Sequence, residues 1–251
     1  MTLDQYVMPA NRLLTGDGPL YLQVRDRVVA RIVDGHWQPG DALPSEHQLA
    51  VEFGVSQGTL RKALDTLVTE NLLLRQQGKG TFVATHTPQR ELFHFFHLVG
   101  ADGARELPTT SRVLGVERRR ATTTECLRLR LPRNANVIHI RRLRELGGAP
   151  VIVENISVPA RLFRGLEING GDLPNALYAL YEEVYAITIR RAVEHLRAVT
   201  ATAEEAKLLK LPKAAPLIEI DRLGETLDRT PVEFRLSRCD TRSHAYRSEI
   251  E

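Results

Sequence analysis

Apolar residues recur at helical spacing in three stretches near the start of the chain and at alternate positions through much of the remainder. In "PLYLQVRDRVVARIVDG", Leu20, Val24, Val28, Val29 and Ile32 form one stripe and Gly35 follows as a stop, which predicts a first helix. The turn-rich "QPGDALP" comes next. "SEHQLAVEFG" opens with Ser45 and Gln48 in the S-x-x-Q relation of a capping box, sets Leu49, Ala50 and Phe53 on one face, and ends at Gly54, a short second helix. Ser56 is a second good N-cap, and Leu60, Leu64, Leu67 and Val68 make the stripe of a third helix. Only Gly54 and Val55 separate the second helix from that cap, a spacing that predicts a helix-turn-helix. "NLLLRQQGKGTFVAT" then reads as strand, Gly-Lys-Gly turn and strand, which completes a winged helix-turn-helix.

Past the polar "HTPQREL" the pattern shifts to strands with short helices, and the chain repeats itself. "CLRLRLPRNANVIHIRRLRELGGAPVIVE" (126–154) lies over "AKLLKLPKAAPLIEIDRLGETLDRTPVEFR" (206–235), matching Leu-Pro to Leu-Pro, Ile-x-Ile to Ile-x-Ile and Arg142 to Arg222. One extra residue in the second turn brings Pro231 onto Pro150. Each copy reads as helix, strand, turn, strand, with a T-x-x-E box at Thr202 and Glu205 before the second helix. The expected architecture is α+β: a winged helix-turn-helix over 18–85, a linker over 86–94, and a mainly antiparallel sheet domain over 95–248.

Composition changes this picture little. The 251 residues, 43% hydrophobic and 26% charged, suit two globular domains, and a net charge of +3 points only weakly to an anionic partner. Two cysteines, Cys126 and Cys239, without a C-x-x-C or histidine cluster, indicate neither a disulfide framework nor a zinc site, so no metal or cofactor is expected. No apolar run approaches the ~18 residues of a membrane span, and the N-terminus lacks a signal pattern, so the expectation is a soluble, cytoplasmic protein.

A helix-turn-helix sets the start of its second helix into the major groove of DNA. Here that start is "SQGTLRK": Gln57 can pair bidentately with adenine, Arg61 with guanine, and Ser56 or Thr59 with phosphate or bases, while Gly58 lets the backbone approach closely. Each of these residues alone would pass for a solvated helix position, and their placement is what gives them weight. Residues 1–85 carry 8 Lys/Arg against 9 Asp/Glu, so this region cannot hold DNA by bulk charge and needs local clustering and dimerisation. Arg61, Lys62, Arg75 and Lys79 could supply one basic edge.

In the second domain, period-two reading puts Ile138, Ile140, Arg142 and Arg144 on one face, and Ile152, Glu154, Ile156 and Val158 on another. Charges on isoleucine faces must pair with each other or meet a ligand. The second copy keeps Arg222 but has Gly224 at the place of Arg144, which favours an anion-binding role for Arg144 over a bridge required by the fold. The same alignment sets Glu233 and Arg235 opposite Ile152 and Glu154.

The motifs "PGDALPSE", "LAVEFGVS", "TLRKALDTL" and "QGKGTFV" resemble the GntR-family winged-helix domain of bacterial transcription regulators from Pro19 to Val83. That resemblance implies DNA contacts from Ser45, His47, Ser56, Gln57, Gly58, Thr59 and Arg61 and from the wing residues Gly78, Lys79 and Gly80. His47 and Gln57 stand where the family commonly has arginines. From Phe95 to about Arg247, "ELPTTSRVLGVE", "IRRLRELGGAPVIVE" and "TPVEF" resemble the UTRA effector domain of the HutC-like subfamily. The resemblance implies a chorismate-lyase-like antiparallel sheet, a homodimer, a small-molecule effector that modulates binding to double-stranded operator DNA, and effector contacts from Arg142, Arg144, Glu154, Tyr178 and Glu233. The family's serine is Ala176 here, which removes a hydroxyl donor and leaves carboxylates open beside phosphates. Chorismate lyase makes an enzyme the alternative reading; against it, there is no Ser-His-Asp order, Cys-His pairing or phosphate loop, and His97, His139, His195 and His244 are scattered.

Overall fold

The computed structural model describes residues 18–85, 95–104, 106–168 and 173–249, and the chain divides into two compact units at Thr85/His86. The predicted linker over 86–94 lies outside the described residues.

In the first unit, α1 (Leu20–Val33) buries Val24 and Val28. α2 (Glu46–Phe53) buries Leu49, Ala50 and Phe53, starts from the Ser45–Gln48 capping box, and stops at Gly54 in the left-handed region. α3 (Gln57–Thr69) starts at the Ser56 cap and buries Leu60, Ala63, Leu64 and Leu67, with Val68 half-buried at the margin. β1 (Leu73–Gln76) and β2 (Gly80–Val83) pair antiparallel. The connector is more than a turn: Ala42 bridges to Phe82, and Leu43 N donates to Thr81 O at 2.8 Å, adding one residue of a third strand to the hairpin.

The second unit holds β3 (Leu98–Gly100), β4 (Thr110–Arg120), α4 (Thr123–Arg128), β5 (Asn136–Leu146), β6 (Ala149–Pro159), α5 (Leu177–Tyr185), β7 (Arg191–Thr200), α6 (Ala203–Leu208), β8 (Pro216–Glu225), β9 (Pro231–Cys239) and β10 (His244–Tyr246). Six strands form one antiparallel sheet in the order β4-β5-β6-β9-β8-β7, and β3 pairs with β10. That order is symmetric about β6 and β9, so the repeat is β4-α4-β5-β6 followed by β7-α6-β8-β9.

The two copies agree in detail. Each short helix carries a capping box, Thr122–Glu125 and Thr202–Glu205. Arg130 and Lys210 take the same positive φ after those helices, and the register shifts at Arg144/Glu145 and again at Gly224/Glu225. One sheet face packs Ile138, Ile140, Ile156 and Val158 against Leu177, Tyr178 and Tyr181 of α5. The other packs Leu143 and Val153 against Ala206 and Leu209 at α6.

Candidate DNA-reading face and effector cavity

Two α2 residues organise the start of α3. Glu46, first in α2, accepts from Arg61 Nε through Oε2 at 2.9 Å and from Arg75 Nη2 through Oε1 at 2.9 Å. Arg75 also pairs with Asp65 at 2.7 Å, so one ion-pair chain ties α2, α3 and β1 together. Arg61 stays 62% exposed, held by one edge of its guanidinium with the remaining donors outward. His47, next on α2, lies 2.9 Å through Nδ1 from Gln57 Nε2.

Ser56 Oγ accepts from Thr59 N at 3.1 Å and lies 2.9 Å from Thr59 Oγ1, so both hydroxyls serve the cap. Ser45 caps α2 in the same way. Around Gly58 an added Cβ would meet only Ser56 Oγ, at 3.9 Å, so no internal packing requires glycine there. Gly78 and Gly80 take positive φ on either side of Lys79, which shapes the hairpin tip. His47, Gln57 and Arg61 thus gather on Glu46 and its neighbour; Glu46 and Asp65 were not singled out from sequence, and only their opposite charge to the arginines hints at the part they play. Lys62 lies over the Tyr21 ring at 4.1 Å.

In the second unit the inward charges form one network beneath α5. Arg142 Nε donates to Glu154 Oε2, and its Nη1 donates to Asn175 O at 3.1 Å. Arg144 pairs with Glu154 at 3.5 Å and donates to Asn175 Oδ1 at 2.8 Å. Arg235 bonds Glu233 at 2.8 and 3.0 Å and reaches Glu154 at 3.4 Å. Tyr178 and Tyr181 donate to the two oxygens of Glu233 at 2.9 and 3.0 Å. Burial pushes the Glu154 carboxyl up, but the guanidinium groups of Arg142, Arg235 and Arg144 outweigh it and hold it below the usual carboxylate range. Burial, then the Glu233 charge, pushes the Tyr178 phenol up, so it stays a donor.

A cavity of about 30 Å³, room for on the order of two waters, opens beside this network. Its wall includes Arg144, Glu154, Arg222, Arg235, Ser237, Phe95 and Phe96. Of the residues singled out in sequence, Arg144 and Glu154 line it, whereas Arg142, Tyr178 and Glu233 lie in the bonded network behind. Sequence reasoning did not assign Arg222 and Arg235 to the site, although the repeat alignment had placed both on the matching strands. Arg222 bonds Glu194 at 2.5 Å and the carbonyl of Phe95. At Gly224 an added Cβ would lie 3.1 Å from Ile189 Cδ1 and 3.4 Å from Glu233 Cβ, so a side chain there would require Ile189 to shift.

A winged helix-turn-helix whose reading helix carries an anchored arginine, joined to a sheet domain with a charged internal cavity, defines a ligand-responsive DNA-binding regulator. The family comparisons agree: residues 20–83 match the model of bacterial regulatory proteins of the gntR family, and residues 104–245 match the UTRA domain. The chain belongs to the GntR family of bacterial transcription regulators, in its HutC-like branch with a UTRA effector-binding domain.

It is 30% identical to the mannosyl-D-glycerate transport/metabolism system repressor MngR of Escherichia coli K12, over 92% of this chain and 95% of that protein. It is 31% identical to the transcriptional repressor NagR of Bacillus subtilis (87% and 89% covered) and 31% identical to the histidine utilization repressor of Klebsiella aerogenes (86% and 88%). The ligand-binding domain of a GntR-family regulator from Bordetella bronchiseptica superposes with a TM-score of 0.59 at 30% identity, covering 63% of this chain and 98% of that one. PhnF from Mycobacterium smegmatis, at 22% identity, shares the fold with a TM-score of 0.54 over 91% of this chain and 99% of that one. MngR, NagR and the histidine utilization repressor are repressors, and the chain is a DNA-binding transcriptional regulator rather than an enzyme. No described helix is long and apolar enough to cross a membrane.

Proposed function

We propose that the protein is a cytoplasmic repressor that binds a two-fold-related operator as a homodimer, through the α3 face and the β1–β2 wing, and that a small anion bound at the effector cavity modulates its operator affinity. The supporting observation is the convergence of Arg144, Arg222 and Arg235 on one cavity, since three guanidinium groups suit a carboxylate or phosphate that can be held bidentately. Ala176, the residue before α5, brings no hydroxyl to this region, which keeps carboxylates beside phosphates as candidates. The effector acts only through its different affinity for the DNA-bound and released arrangements. A thermal-shift screen of small carboxylates and phosphates, followed by operator release with each hit, tests the reading. An Arg144→Ala protein that senses such a hit normally counts decisively against it.

A further inference from the structure

His47 and Gln57 come from different helices and are both exposed, yet their side chains are bonded to each other at 2.9 Å. In this contact Gln57 Nε2, an amide nitrogen, donates and His47 Nδ1 accepts. The bond fixes which way the Gln57 amide faces. Its Oε1 and its second Nε2 hydrogen remain for another partner, an acceptor beside a donor, and the Gln57 backbone opens the reading helix.

We propose that His47 and Gln57 act as one reading unit that selects an A·T pair in the operator half-site, with Gln57 contacting adenine and His47 holding the Gln57 amide in the adenine-reading orientation. Adenine offers N7 as acceptor and N6 as donor in the major groove, the complement of what the held amide presents. Guanine offers two acceptors, O6 and N7, and would set O6 against Oε1. An amide without the histidine can turn over at little cost and present its nitrogen to O6, so discrimination depends on His47. His47 is on this view a positioning residue, and its signature is the ratio between sequences. The inference rests on DNA reading by the helix-turn-helix.

The test is selection of binding sites by the 251-residue chain from a randomised duplex library, repeated with Gln57→Arg and His47→Ala, each variant's fold checked by thermal melting. The expected wild-type motif has A·T at one position that changes to G·C in Gln57→Arg, because arginine presents only donors. In His47→Ala the A-over-G preference at that position falls about tenfold. Full discrimination retained in His47→Ala, G·C preferred by the wild type at the Gln57-dependent position, or a motif insensitive to both substitutions each overturns the pairing alone. A chain that enriches no motif at all fails the operator reading together with it.

Discussion

Arg222 and Arg235 stand directly opposite each other on β8 and β9, two buried arginines at paired register positions. The matching pair in the first repeat is Arg142 opposite Glu154, opposite charges where the second has like ones. Like charges across a ladder are unfavourable. Glu194 and Glu233 offset them from either side, Glu194 bonding Arg222 and Glu233 bonding Arg235. The two repeats thus share one fold, and where the first sets an ion pair the second sets two arginines, both of which line the cavity.

An anion bound there should depend on Arg222. Arg222→Gln is expected to abolish the rise in melting temperature produced by a ligand that stabilises the wild type, an effect of about 2.7 kcal/mol at one hundred times Kd. Arg141→Gln, which alters only an exposed pair with Glu204, should keep the full rise. Equal responses in the two variants would place the anion elsewhere.

Arg235 has a second task, because Glu233 and Glu154 both depend on it inside the core. Burial works against the charge of Arg235, yet Glu233 and Glu154 raise the pKa of its guanidinium well above the ordinary value. Arg235→Ala should cost about 3–5 kcal/mol in urea unfolding, and adding Glu233→Gln should recover part of it. A loss below about 1 kcal/mol would show that the network behaves like a surface pair.

The first unit was legible in sequence nearly residue by residue, because its signals are local: caps at Ser45 and Ser56, stops at Gly54, and apolar stripes that coincide with Val24, Leu49, Leu60 and Leu64. The inward direction of Arg142, Arg144 and Glu154 also followed from period-two alternation. What alternation cannot give is which strand lies beside which. The adjacency of β6 and β9, which brings Arg235 to Glu154, is a contact across 81 residues and follows only from the sheet order. The bond between His47 and Gln57 was hidden for the same reason: each residue reads as an exposed polar position, and only the angle between α2 and α3 brings the two together.

Glu125 gives a pH dependence that can be measured. Burial raises its carboxyl, but Arg119 at 2.7 and 2.8 Å, Ser157 at 2.5 Å and Thr122 N at 2.7 Å more than compensate, and hold its pKa at about 2. A folded-state value below the unfolded one contributes stability that is complete above the ordinary carboxylate range, near pH 4.5, and is lost as pH falls toward 2. Glu125→Gln should therefore lower stability at pH 7 by up to about 3 kcal/mol and flatten the decline between pH 4.5 and 2. A variant whose acid-unfolding curve overlays the wild type would rule out this carboxylate as its source.

Arg61 is held by Glu46 but keeps donors outward. Arg61→Ala should weaken operator binding by ~1–3 kcal/mol and relax one base position. Glu46→Gln should weaken it less, with the same position affected, since the arginine is present but no longer fixed by a carboxylate. Gel shifts at fixed salt decide, and unchanged affinity and preference in Arg61→Ala would remove it from the reading face.

Gly58 separates stability from function. Alanine is a better helix former by up to about 1 kcal/mol, and space for its methyl is open, with Ser56 Oγ at 3.9 Å the one neighbour. Gly58→Ala should therefore melt higher than the wild type. If the first turn of α3 approaches DNA backbone to backbone, the same methyl obstructs it, and operator affinity should fall while binding by the Arg61 and Gln57 side chains is left chemically intact. A protein that is both more stable and equally tight on its operator would show that the glycine serves no close approach, and that Gln57 and Arg61 reach the groove from farther away.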